Sequence, residues 1–186
     1  YYHGQAVAST DNPVQQRQDY EALSGRIESY LAGYPDSRQN YDFRFLLGDA
    51  YYAQGRFEIA GDTYLALARD SSSLQRRQDA TINACGSYFS SYADESGIDS
   101  AVVRQKQIDA TTYYLSQFPS GEYVDQFLYA AAANSYNAKD YPTARTVYLT
   151  LYENYPNSGY LARSARFIAA AYEAEEMFSQ AEQWYE

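Results

Sequence analysis

The side chains able to do covalent or metal chemistry are few in this chain. Cys85 and His3 are the sole cysteine and histidine among 186 residues. With no second His or Cys near either, neither a zinc site nor a Cys–His nucleophile pair can be assembled. Cys85 stands where the repeat spacing described below puts Gly48, Ala132 and Ala169, and it reads as a small core thiol. Carboxylates are numerous but poorly arranged for catalysis or calcium. Glu173, Glu175 and Glu176 fall on a helical pattern in which neighbours point apart. Asp94, Glu95 and Asp99 lack the Asp-x-Asp-x-Asp-Gly ladder that gathers oxygens around one ion. Both groups read as solvated charge, and no glycine-rich phosphate loop occurs. No catalytic residue, metal or cofactor is therefore expected, and the chain reads as a non-enzyme.

One cationic constellation is sharper. Arg163 and Arg166, three apart on one helical face, form a pair suited to a partner carboxylate. The plainer alternative is ordinary solvated charge or pairs with neighbouring acids.

The elements that carry these residues repeat. Tyr141, Ala144 and Tyr148 recur 37 residues on as Phe178, Ala181 and Tyr185, and 84 residues upstream as Phe57, Ala60 and Tyr64. Tyr34-Pro35-Asp36-Ser37, Phe118-Pro119-Ser120-Gly121 and Tyr155-Pro156-Asn157-Ser158 keep the same intervals, Pro35 to Pro119 being 84 and Pro119 to Pro156 being 37. An interval of 84 is one period of 37 plus a period carrying ten extra residues. Such periods mean stacked supersecondary units. The expected division is a partial repeat at 1–37, repeats at 38–74, 75–121 (with the ten-residue insertion) and 122–158, and a partial repeat at 159–186. The whole is expected to be one solenoid and a piece of a longer chain.

Apolar residues at three-four spacing predict helices at about 14–33, 39–54, 57–69, 74–92, 121–138, 141–155, 159–175 and 178–186. Residues 1–12 would end an earlier helix. The insertion is expected as a loop at Asp94–Ser100, followed by a longer helix ending at Phe118. Nothing alternates with period two, so no strand is expected. Each Tyr-Pro stop follows from the exclusion of the residue before proline from the α region.

The formal charge of −10 disfavours nucleic acid and anionic lipid as partners. No run approaches the ~18 apolar residues of a membrane-spanning helix.

Leu47-Gly48-x-x-Tyr51, then Gly55, Ala60, Tyr64 and Leu67 resemble the tetratricopeptide repeat. The resemblance extends over nearly the whole chain. The 37-residue unit, against ~34 in that family, and the Tyr-Pro-x-Ser endings look like its bacterial cell-envelope subgroup, typified by the BamD-type outer-membrane assembly lipoprotein and the Tol-Pal coordinating protein. The resemblance implies an all-α, right-handed superhelix of helix hairpins. It also implies a periplasmic or outer-membrane-associated scaffold that binds proteins within an assembly, secretion or motility complex, with any lipid anchor outside these residues. A cytoplasmic setting is the alternative. So are a glycan-binding role and the helical arm of a peptidoglycan-acting enzyme.

In such superhelices the first helix of each pair lines the groove. The positions concerned are Asp42, Phe45, Asp49, Tyr52; Asp79, Ile82, Gly86, Phe89; Gln126, Tyr129, Ala133, Tyr136; and Arg163, Arg166, Ala170, Glu173, each group spaced 3, 4, 3 and so on one stripe. Phe45, Asp49, Tyr52, Phe89, Tyr129, Tyr136, Arg163 and Arg166 are the expected partner-binding residues, because aromatics bury large area at low entropic cost. The competing reading is that second helices fill the groove. The lysine–asparagine clamp with which some members of the family hold a C-terminal carboxylate is absent from these positions. Tyr51, Tyr64, Tyr88, Tyr148, Tyr172 and Tyr185 are expected instead as core knobs between hairpins.

Overall fold

The computed structural model describes residues 12–93 and 100–185, and among them helices joined by turns are the sole regular structure, with no strand. The helices are α1 (Pro13–Gly33), α2 (Asn40–Ala53), α3 (Phe57–Asp70), α4 (Leu74–Ala93), α5 (Ser100–Gln117), α6 (Val124–Asn137), α7 (Tyr141–Asn154), α8 (Leu161–Ala174) and α9 (Phe178–Tyr185). All nine match predicted segments. Residues 94–99 of the expected loop, and the expected earlier helix at 1–12 apart from Asn12, lie outside the described residues.

The local signals act through nameable bonds. Asn12 accepts the Val14 and Gln15 N–H groups at 3.0 and 3.4 Å, with Pro13 at the first helical position. Asp140 caps α7 by accepting the Thr143 N–H at 3.2 Å. In the Tyr-Pro-x-Ser stops, the serine accepts the N–H two residues on: Ser37 from Gln39 at 3.3 Å and Ser158 from Tyr160 at 3.2 Å. This is the side-chain turn that makes serine useful at that position. The tight turns inside hairpins use left-handed backbone at Gly55 (φ 76°), Lys139 (φ 63°) and Glu176 (φ 60°). Lys139 lies 84 residues after Gly55, and Glu176 a further 37 on.

The chain divides into two compact units, the first running to Ala110 and the second from Thr111. In unit 1, α1 packs on α2, α2 on α3 and α3 on α4. Two glycines make this closeness possible. A Cβ at Gly48 would lie 2.5 Å from the Tyr64 ring, and one at Gly61 would lie 2.5 Å from the Tyr88 ring. Tyr64 and Tyr88 are accordingly buried. The tyrosine hydroxyls are then closed by carboxylates: Tyr51 donates to Glu28, Tyr64 to Asp49, and Tyr88 to Asp62 at 2.8 Å. Lys106 of α5 reaches both Glu58 and Asp62 of α3 at 2.7 Å.

In unit 2, α6 packs on α7, α7 on α8 and α8 on α9. Its core centres on Ala132, Ala144, Tyr148 and Ile168, with Tyr129, Tyr136, Phe167, Tyr172 and Trp184 packed against them. Arg145 pairs with Glu175 and lies 4.5 Å over the Tyr172 ring. Tyr114 stacks on Phe127 at 3.9 Å.

Three expectations need correction. Tyr185, expected as a buried knob, is 54% exposed, because its ring lies along the α8 face with the hydroxyl donating to Glu173 at 2.9 Å. Tyr172 is only half-buried, and the group over its ring is the Arg145 guanidinium. Cys85 is half-buried rather than crowded. At the spacing that supplies a tyrosine after Gly48 and Ala132, the chain supplies Thr111.

Candidate functional site

Each unit carries a concavity on the face marked by the 3, 4, 3 spacing. In unit 1 a hollow of about 430 Å³ is lined by Asp49, Tyr52, Tyr64, Ile82, Asn83, Gly86 and Ser87. Asp49 and Tyr52 come from α2, Ile82 and Gly86 from α4, and all four belong to the predicted stripes. Gly86 has open space above it, with nothing within 4 Å of an added Cβ, so the floor is backbone.

The polar chemistry of this hollow is set by Asp49. Burial raises its pKa, and the hydrogen bond received from Tyr64 works against that rise. The Tyr64 phenol is pushed far above its ordinary range, first by burial and then by the Asp49 carboxylate. Tyr52 is 43% exposed, its ring edge-on to Phe57 at 5.0 Å and its hydroxyl 3.0 Å from that of Ser90. Phe89 is 63% exposed. Phe45 differs: half-buried, it packs edge-on to Tyr64 at 5.2 Å and tilted to Tyr41 at 6.2 Å. Tyr41 donates to the Arg76 carbonyl at 2.6 Å under the Arg76 guanidinium, and burial and Asp79 push its pKa up to about 12.

In unit 2 a hollow of about 450 Å³ is lined by Tyr129 of α6, Arg163, Arg166, Phe167 and Ala170 of α8, and Tyr185 of α9. Four of these six are predicted stripe positions. Tyr129 is held by stacking on Tyr160 at 4.9 Å and by edge contacts with Tyr148 at 5.6 Å and Phe167 at 6.3 Å. Tyr136 stays outside the hollow. It is half-buried, edge-on to Tyr141 at 5.4 Å and Phe167 at 5.2 Å, and burial raises its pKa. Arg163 and Arg166 are exposed, and neither has a hydrogen-bond or ion-pair partner among the described residues. Beneath them Tyr148 is fully buried, stacked on Phe167 at 5.5 Å, and its hydroxyl has no hydrogen-bond partner.

Of the eight expected partner-binding residues, Asp49, Tyr52, Phe89, Arg163 and Arg166 are exposed, and Phe45, Tyr129 and Tyr136 are half-buried among other rings. Asp49 and Tyr52 meet in one hollow; Tyr129, Arg163 and Arg166 meet in the other. Sequence reasoning missed Tyr64, Asn83, Ser87, Phe167 and Tyr185 as lining residues. Phe167 was within reach, since it stands four after Arg163 and three before Ala170. A third hollow, about 320 Å³, lies in unit 2 where Gly121, Glu122 and Asp125 meet the Tyr155–Ser158 stop, and there Ser158 donates to Asp125 at 2.6 Å.

Among the described residues no group of His, Cys, Asp and Glu is placed to hold a metal, and no helix is long and apolar enough to cross a membrane. Comparison with protein-family models and with curated proteins gives no match.

Proposed function

We propose that this chain is a non-enzymatic protein-binding scaffold, its hairpins winding as a right-handed tetratricopeptide-like superhelix of about 37 residues per unit. Partner segments dock on the first helix of each pair. The resemblance of its Leu47-Gly48-x-x-Tyr51 pattern and Tyr-Pro-x-Ser stops to the bacterial cell-envelope subgroup supports a place in an assembly, secretion or motility complex, in the periplasm or at the outer membrane.

One observation carries the docking reading. Residues that the repeat resemblance and the 3, 4, 3 spacing assign to the first-helix stripe line a hollow in each unit: Asp49, Tyr52, Ile82 and Gly86 in the first, Tyr129, Arg163, Arg166 and Ala170 in the second. Open, half-apolar hollows with exposed aromatic rims suit anchoring of an extended or helical segment.

The test uses the exposed rings only, because Tyr136 packs against its neighbours and its loss would disturb the fold. Tyr52→Ala/Phe89→Ala is expected to keep the helical circular dichroism of the parent and to lose partners captured from an envelope extract. Capture undiminished by the double substitution removes the docking reading for unit 1.

A further inference from the structure

The unit 2 hollow differs from that of unit 1 in carrying two arginines. Arg163 and Arg166 project from one face of α8, and neither has a hydrogen-bond or ion-pair partner among the described residues. The chain has a formal charge of −10, yet no acid among the described residues forms an ion pair with either arginine. Glu173, two turns beyond Arg166 on the same face, receives the Tyr185 hydroxyl at 2.9 Å. Glu175 is paired with Arg145, Asp125 with Ser158, and Asp140 with the Thr143 N–H. Arg17 is answered by Glu21, Arg44 by Asp70 and Arg76 by Asp42, whereas Arg26 and Arg38 share with Arg163 and Arg166 the lack of an ion-pair partner among the described residues but line neither hollow.

The walls add shape to the charge. Tyr129 is fixed by its stack on Tyr160, Tyr185 is oriented by Glu173, and Phe167 is locked against Tyr148. Ala170 leaves room between them in a hollow of about 450 Å³. Two guanidiniums at the mouth and aromatic walls behind them select a ligand that is anionic and aromatic at once.

We infer that the unit 2 hollow binds an internal acidic segment of a partner protein, with side-chain carboxylates on Arg163 and Arg166 and an adjacent aromatic side chain between Tyr129 and Tyr185. The inference rests on the docking reading above and names the partner chemistry for one of its two hollows. Guanidinium–carboxylate pairs supply paired, directional bonds, while the walls supply apolar area.

The probe is the blocked peptide acetyl-Gly-Glu-Glu-Phe-Gly-amide, titrated into the whole chain and followed by calorimetry and by NMR of the arginine side chains. Binding is expected to shift the Arg163 and Arg166 signals. The Gln-Gln peptide should bind at least about tenfold more weakly, the loss of roughly one charge-assisted bond, and the Glu-Glu-Gly peptide should also bind more weakly. Arg163→Gln/Arg166→Gln should abolish the preference for glutamate. Arg163→Lys/Arg166→Lys should retain part of it, since charge remains without the planar fork. Both variants change exposed side chains, and their circular dichroism should match the parent.

Four results overturn the inference: no binding of the glutamate peptide at about 1 mM; equal binding of its glutamine form; glutamate preference that survives the double glutamine variant; or equal binding of acetyl-Gly-Gly-Phe with a free end, which makes this a terminal-carboxylate site. If any of these occurs while Tyr52→Ala/Phe89→Ala still loses partners, the charge assignment fails and the docking reading stands. If Tyr52→Ala/Phe89→Ala keeps its partners while the glutamate preference holds, unit 1 docking fails alone.

Discussion

Tyr64 in unit 1 and Tyr148 in unit 2 stand 84 residues apart and are both buried rings, 2% and 0% exposed. Their hydroxyls meet opposite surroundings. Tyr64 donates to Asp49; at the corresponding interval the chain carries Ala133, and the Tyr148 hydroxyl has no partner. The ring is a packing element governed by spacing, whereas the hydroxyl depends on one polar side chain that the spacing leaves free to vary. The same divergence sets the two hollows apart: the first holds a carboxylate bonded by the Tyr64 hydroxyl, the second two open guanidiniums.

The strongest way to break the comparison is to remove the close approach on which unit 1 depends. Gly48→Ala puts a methyl group 2.5 Å from the Tyr64 ring, and Gly61→Ala does the same against Tyr88. Each should cost about 2–3 kcal/mol, read from the urea midpoint, with the earliest loss of hydrogen-exchange protection in α2 and α3 for the first and in α3 and α4 for the second. Alanine tolerated at either position without loss would mean that the ring has room to move aside.

Paired phenylalanine substitutions sharpen the contrast directly. Tyr64→Phe leaves the Asp49 carboxylate without its donor and should destabilise by about 1–2 kcal/mol. Tyr148→Phe removes a buried hydroxyl that bonds to nothing and should be neutral or stabilising by up to about 1 kcal/mol. Equal urea midpoints for the two variants would erase the distinction between the units.

Alkaline titration probes the carboxylate closures of unit 1. Burial, then Glu28, pushes the Tyr51 phenol up to about 12, and Tyr41 stands at about 12. A phenol whose folded pKa is raised binds its proton longer when folded than when unfolded. Its contribution is intact below the unfolded value of 10.0 and is lost as pH climbs from 10 towards 12. Stability should therefore fall across that window. Glu28→Gln should move the Tyr51 transition down and leave that of Tyr41 in place, as followed by tyrosinate absorbance.

The smallest effects belong to the tight turns. Gly55 holds φ 76° without strain, whereas Lys139 and Glu176 hold φ 63° and 60° with a Cβ. Lys139→Gly in unit 2 should stabilise by about 0.5 kcal/mol and Gly55→Ala in unit 1 should destabilise by about 1 kcal/mol. Calorimetric melting of the two variants checks the opposite signs.

These cases also mark where sequence reading reaches and where it stops. Helix ends were legible because proline, asparagine and serine act within two or three residues of themselves, as at Asn12-Pro13 and Ser158. The Leu47-Gly48-x-x-Tyr51 pattern was legible in the same way, whereas the ring that Gly48 admits, Tyr64, is seen only in the packing. The exposure of Tyr185 and the isolation of Arg163 and Arg166 were not legible. The first goes with a hydrogen bond from Tyr185 to Glu173, twelve positions away on another helix, and the second turns on which acids reach the α8 face; spacing carries no information on either. Left-handed backbone at Lys139 and Glu176 was equally hidden, because neither residue type advertises it.

The lone tryptophan has a practical consequence. Trp184 lies in unit 2, half-buried and edge-on to Tyr152 at 5.1 Å, so indole emission is a reporter for that unit alone. A single smooth fluorescence transition would say nothing about unit 1, and agreement with the circular dichroism curve becomes the test of whether the chain melts as one body. Placing a second indole at Tyr52 would give unit 1 its own voice in the same experiment.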